Sequence, residues 1–157
     1  MRIEYFQLID RIVDLNLADR KIRGEATVPV ASTIFEGHFP GYPLMPGVLL
    51  IEAMAQTAGW LVVATNRFER MAFLASVKEA KLRTFVRPGQ DLSIDALVTH
   101  EGSGYAVTKA KITAEGKQVC NAVLTLRVLE FPNAEVAMQM RKFATRVGLA
   151  LEAPADG

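Results

Sequence analysis

From Val48 to Ala64 the only strongly polar side chains are Glu52, Gln56 and Thr57. A helix that is apolar on almost every bearing has to be buried on almost every side, so the rest of this chain must wrap it. Pro46 suits the first helical position, because its fixed φ fits and its missing N–H would be an orphan donor there. The stretch falls short of an uninterrupted bilayer span and carries Glu52 and Gln56, so membrane insertion is not expected. These two residues stand at i and i+4 and share a face, which gives a core helix one polar stripe. A carboxylate buried without a cationic neighbour is penalised by desolvation, so it is expected to stay protonated or to be paired.

The helix is preceded by GHFPGYPLMPG, residues 37–47, which sets one of only two histidines, His38, in a loop stiffened by Pro and Gly. His38 and Glu52 are therefore the first pair to consider for acid/base work. Taken singly, each has a plainer reading, since a loop histidine is often solvated and an isolated helical Glu usually lies on a surface. Gly47 would expose free N–H groups at the helix start and let a ligand approach the backbone closely, an arrangement suited to an oxyanion.

The rest of the chain reads as β-structure around that helix. Met1 to Ile9 forms a short helix or lead-in, and strands follow at Arg11 to Asn16 and Lys21 to Val30, turning at Ala18 to Arg20. After Asn66, β-branched or alternating runs cover Ala72 to Lys78, Leu82 to Val86, Leu92 to His100, Tyr105 to Ala114 and Gln118 to Leu129. Arg87-Pro88-Gly89, Gly102-Ser103-Gly104 and Glu115-Gly116-Lys117 mark turns between antiparallel neighbours. Beyond Pro132 a separate helix is expected, capped by Asn133, striped by Val136, Met140, Phe143 and Val147 and stopped at Gly148. Glu152 to Gly157 read as an unstructured end. The fold class is thus α+β: a long central helix wrapped by an antiparallel sheet over residues 1–131, with a C-terminal helical extension and tail over 132–157.

Charge and cysteine usage narrow the function. Eighteen basic against seventeen acidic side chains in 157 residues leave +1, so no global field argues for nucleic acid and an anionic partner must meet a local patch. Lys78, Lys81, Arg83 and Arg87 form such a patch, although a solvated face is the plain alternative. Cys120 is the single cysteine, which excludes an internal disulfide; with Glu4 and Asp10 interrupting the apolar N-terminus, a cytoplasmic protein is expected. Cys120 reads as an inert thiol in a strand, His100 as a solvated neighbour of a turn, and Gly102-Ser103-Gly104 as a hairpin rather than a phosphate loop, since no helix follows it.

The segment GHFPGYPLMPGVLLIEAMAQ, residues 37–56, resembles the signature of the FabZ-type 3-hydroxyacyl-acyl-carrier-protein dehydratases, which have the hot-dog fold. FLASVKEAKLRTFVRPGQDL, residues 73–92, resembles the family's second block, and with the later strands the similarity spans roughly residues 1–130. Within that second block SVKEAKLRTFV lacks the Asp and the first Pro of the usual pattern, which bears on carrier docking rather than on the chemistry. SVKEAKLRTFV and GSGYAVTKAKIT are also similar to a subgroup associated with very-long-chain acyl groups of lipid A.

The resemblance implies roles position by position. His38 is the base and Glu52 the acid, where Glu rather than Asp favours the branch that dehydrates without isomerising. The Gly47 N–H polarises the thioester carbonyl, the Leu44 carbonyl orients His38, and Gln56 holds the carboxylate. Eliminating water from a 3-hydroxyacyl thioester needs one neutral base for the C2 proton and one protonated acid for the leaving hydroxide, which is the work this pair supplies. No metal or organic cofactor is implied. The implied partners are acyl carrier protein, delivering the acyl chain at the basic patch, and further copies of the chain in a homodimer built up to a trimer of dimers. Substrate would lie in an apolar tunnel beside the central helix. Two other functions stay open on the same fold: an acyl thioesterase, and a non-catalytic protein that binds acyl thioesters.

Overall fold

The computed structural model describes residues 1–149; the expectation for Glu152 to Gly157 lies outside them. A short 3-10 turn, Ile3–Tyr5, leads into strands β1 (Arg11–Asn16) and β2 (Lys21–Thr27), the short helix α1 (Thr33–Gly37) and the long helix α2 (Gly47–Thr65). Strands β3 (Arg70–Leu82), β4 (Asp91–Gly102), β5 (Tyr105–Ala114) and β6 (Lys117–Glu130) follow, then helix α3 (Ala134–Arg146). The six strands form one sheet in the order β1-β2-β4-β5-β6-β3, antiparallel at every pairing.

The sheet curls around α2, which packs against β2, β3, β4, β5 and β6. Helix α2 is long and apolar enough to cross a bilayer, yet Ala53, Met54, Ala58 and Leu61 are wholly buried against the sheet. Strand alternation supplies the facing surface: Leu92, Ile94, Ala96 and Val98 of β4, Ala106, Ala110 and Ile112 of β5, and Ala122, Leu124 and Leu126 of β6 are all buried. Alanine is a poor strand former, but its small side chain on the inner face lets the helix settle close to the sheet. Thr57, the fully buried polar residue of that helix, returns its hydroxyl to the Ala53 carbonyl at 3.0 Å, so it leaves no unsatisfied donor in the core.

Strands β1 and β3 are the two edges. Strand β3 is irregular, with register shifts between Leu74 and Ser76 and between Lys78 and Lys81, and Glu79 has φ +51° — the kind of bulge that re-aims an edge. Its outer half carries Phe73, Leu74, Val77 and Leu82, each at least 40 % exposed.

The structure departs from the sequence reading in four places. Strand β2 stops at Thr27 rather than Val30, where Val28 turns to bond the loop at Gln90. Pro46 is the N-cap of α2 and Gly47 its first residue. The run Leu82 to Val86 is not a separate strand: β3 continues unbroken to Leu82, and the chain then leaves the sheet, with Val86 buried and accepting the Met45 N–H at 2.8 Å. Part of the expected loop is the short helix α1. The C-terminal helix is as read, with Asn133 Oδ1 accepting from the Val136 N–H at 2.9 Å and Gly148 at φ +76° ending it.

Candidate active site

His38 is placed by the end of α1. Ser32 caps that helix by accepting the Ile34 N–H at 3.1 Å, and the His38 N–H closes the other end on the Ile34 carbonyl at 3.0 Å. The chain then reverses tightly, with Phe39 and Tyr42 exchanging backbone bonds of 2.9 Å each around Gly41 at φ +74°. The peptide joining His38 to Phe39 is cis, and the two rings stack with centroids 4.2 Å apart. The reversal brings Leu44 back beside His38: the Leu44 N–H donates to the His38 carbonyl at 2.9 Å, and His38 Nδ1 lies 3.0 Å from the Leu44 carbonyl. A carbonyl oxygen only accepts, so Nδ1 carries the proton and Nε2 of the neutral ring keeps its lone pair. The half-buried ring is thus held as a base presenting Nε2.

Glu52 and Gln56 stand on one face of α2. Gln56 Oε1 accepts the Leu8 N–H at 3.1 Å, which fixes the amide, and its Nε2 donates to the Phe6 carbonyl at 2.8 Å and to Glu52 Oε1 at 3.2 Å. Gln56 therefore orients the carboxylate and ties the N-terminal segment to α2. The expectation of a buried Glu52 is corrected: it is half-buried, because it faces a cavity rather than the packed core. Among the described residues no cation lies within ion-pairing distance of it. Instead it lines a cavity of about 410 Å³ whose wall is otherwise mostly apolar, including Gly59, Trp60, Leu74, Met140 and Phe143.

Gly47 opens α2. The Leu49 and Leu50 N–H groups both reach the Pro46 carbonyl, at 3.0 and 3.3 Å, while those of Gly47 and Val48 have no acceptor among the described residues. These free donors form the positive end of a long helix, where a developing negative charge is stabilised. A Cβ at residue 47 would overlap the δ-methyl of Leu82, so glycine also lets the end of β3 lie against the helix start.

Glu52 lines this cavity and His38 is not among its lining residues. Lys78, Lys81, Arg83 and Arg87 are all exposed on the last turns of β3 and the segment after it. Arg83 donates to Asn121 Oδ1 at 3.1 Å, and the others point to no acid. They flank the start of α2, because Leu82 abuts Gly47 and Val86 bonds Met45. His100 is exposed beside the β4–β5 hairpin, with Nε2 3.2 Å from the Tyr105 hydroxyl. Cys120 is fully buried, and burial pushes its thiol up to about 11, so it stays unreactive at neutral pH. Among the described residues no three His, Cys, Asp or Glu side chains gather in a manner that could hold a metal. Two parts of the site had no local sequence signal: the Phe6–Leu8 backbone that grips Gln56, and α3 as a wall of the cavity.

Comparison with known proteins identifies the family and the fold. Residues 2–123 match the family model described as a FabA-like domain. The chain is 36 % identical over 122 residues to the 3-hydroxyacyl-[acyl-carrier-protein] dehydratase FabZ of Ligilactobacillus salivarius, covering 77 % of this chain and 86 % of that protein. With the enzyme of the same name from Latilactobacillus sakei the identity is 39 % over 119 residues, covering 75 % and 84 %. The bifunctional enzyme LpxC/FabZ of Chlorobaculum tepidum is 41 % identical over 130 residues, 82 % of this chain, but the match spans only 28 % of that longer protein. Among solved structures, a conserved protein, PA5202, from Pseudomonas aeruginosa superposes with a TM-score of 0.62 at 23 % identity, covering 80 % of this chain and 91 % of the other. A hypothetical thioesterase with coenzyme A from Streptococcus pneumoniae gives 0.61 at 18 % identity, covering 78 % and 88 %. At these identities the structural matches establish the hot-dog fold alone.

Proposed function

Since the chain belongs to the FabA-like family, we propose that it dehydrates 3-hydroxyacyl-acyl-carrier-protein to the trans-2-enoyl thioester, as a hydro-lyase of fatty acid synthesis. The observation that carries this reading is Glu52, held by Gln56 on the wall of a mostly apolar cavity. A simple acyl-thioester carrier has no need of both a carboxyl there and a histidine whose tautomer is fixed by Leu44, and the product formed separates a dehydratase from a thioesterase.

The reaction follows from these groups. His38 Nε2 removes the C2 proton while the Gly47 N–H stabilises the negative charge that builds on the thioester oxygen; one such donor typically supplies about 3–4 kcal/mol of barrier lowering. Glu52, protonated, gives its proton to the departing hydroxyl as the C3–O bond breaks, so that water leaves. The proton taken by His38 and the one lost by Glu52 balance after exchange with solvent, which resets both groups.

Because His38 and Glu52 of one chain do not share a cavity, the complete site in this reading is formed by two copies, with the partner subunit's His38 meeting Glu52. The apolar side chains left exposed on β3, together with Phe39, Tyr42 and Val48 near the helix start, are the surface a second copy would cover. A trimer of such dimers and a cytoplasmic location follow from the family reading and the carrier-borne substrate. A narrower assignment to very-long-chain acyl groups of lipid A rests on two short segments, and a chain-length profile tests it.

The simplest test runs the reaction backward. Purified protein should hydrate a trans-2-enoyl carrier-protein thioester, seen as loss of the conjugated thioester absorbance; an unchanged spectrum at high enzyme concentration would refute the assignment. Carrier docking has its own test. Reversing Lys81 and Arg83 to Glu is expected to raise KM for acyl-carrier substrate several-fold, with less effect on a short thioester lacking the carrier, since rim charges govern encounter and orientation. Added salt should weaken the unmodified protein in the same direction. Equal losses on both substrates would remove these residues from a docking role.

A further inference from the structure

We infer that α3 closes the far end of the acyl site, and that Gly59, with Met140 and Phe143, sets how long or bulky an acyl chain the enzyme accepts. This rests on the reading that Glu52 acts on a 3-hydroxyacyl thioester. Glu52, Gln56, Gly59 and Val63 lie at i, i+4, i+7 and i+11 of α2 and all line the cavity, so the cavity runs about 16 Å along one face of the helix from the reacting end. Glycine is the poorest helix former after proline, yet Gly59 sits mid-helix without a positive φ to require it. A Cβ added there would meet no atom within 4 Å. The missing side chain leaves space on the cavity wall, at the depth a growing hydrocarbon chain would reach.

Another part of the wall is supplied by Met140 and Phe143, at i and i+3 of α3, with Arg146 at its end and Val147 at its C-cap. This helix begins eleven residues beyond the segment matched by the family model, which ends at residue 123, so the wall lies outside that segment. The C-terminal end of α3 is anchored. The Ile12 N–H donates to the Val147 carbonyl at 2.6 Å, Arg146 Nη1 donates to Gln7 Oε1 at 3.1 Å, and Ala144 is wholly buried. A cavity of about 410 Å³ with a mostly apolar lining, whose polar residues are Gln7, Glu52, Gln56 and Arg146, has room for a saturated acyl tail.

The test compares kcat/KM for a short and a long saturated 3-hydroxyacyl carrier protein in the full chain. Gly59→Leu, which fills the space, should lower the long-to-short ratio about tenfold or more, since a misfit of one methylene in an apolar pocket is worth roughly that factor. Gly59→Ala should move the ratio in the same direction by less, and provides the measurement if the larger side chain prevents folding. Phe143→Ala should move it in the opposite direction. A ratio unchanged in folded Gly59→Ala and Phe143→Ala overturns the inference while leaving the dehydratase reading intact. If the unmodified protein turns over neither substrate, that reading fails, and the inference with it.

Discussion

Replacing His38 with Ala, or Glu52 with Gln, is expected to lower kcat for dehydration at least about a hundredfold in each case, the lower bound for losing a positioned general acid or base. Glu52→Gln is the sharper of the two. The new amide can still accept from Gln56 through its oxygen, so the link from α2 to the Phe6–Leu8 segment persists, while the transferable proton is gone. His38→Ala removes the ring bonded to Leu44 but leaves the backbone bonds of the loop, including Leu44 N–H to the His38 carbonyl, in place. Both variants should therefore unfold near the temperature of the unmodified protein. Folded variants with near-normal turnover would remove the pair from the chemistry.

The second large effect is recovery of activity by mixing those two inactive proteins. In a symmetric dimer whose two sites each take His38 from one copy and Glu52 from the other, a His38→Ala/Glu52→Gln hybrid carries one intact and one doubly impaired site. With free exchange at equal concentrations half the dimers are hybrids, so the mixture should regain about a quarter of the unmodified activity. Exchange itself is checked with differently tagged copies. Hybrids that form but stay inactive would place both residues of a working site in one chain.

Much of the fold was legible because burial leaves a periodic trace. The bounds of α2 and β1 follow from it nearly to the residue, as do the Asn133 cap and the Gly148 stop of α3. The misreading of Leu82 to Val86 shows what periodicity omits. Val86 is buried like a strand residue, but its backbone serves the helix-start loop through Met45 rather than a neighbouring strand. Helix α1 is too short to show a helical period, and Ser32 was its only signal. At the site, residue type and position pointed to His38, Gly47, Glu52 and Gln56, and the family resemblance implied Leu44; all lie within nineteen consecutive residues. The grip of Gln56 on Phe6 and Leu8 reaches across 50 and 48 positions of sequence, and no local pattern encodes such a partner. Nor does the sequence alone show that Glu52 faces a cavity rather than the packed core, because that depends on how the sheet, the N-terminal segment and α3 meet around α2.

The central claim is that this protein removes water from a carrier-bound 3-hydroxyacyl chain and leaves the thioester whole. Intact mass measurement of a 3-hydroxyacyl carrier protein after incubation with the full-length protein tests it most directly. The expected product is the acyl carrier lighter by one water, formed up to an equilibrium mixture with the substrate and absent with Glu52→Gln. Appearance of free carrier thiol would instead identify a thioesterase, and an unaltered mass at stoichiometric enzyme would identify a binding protein; either result contradicts the account.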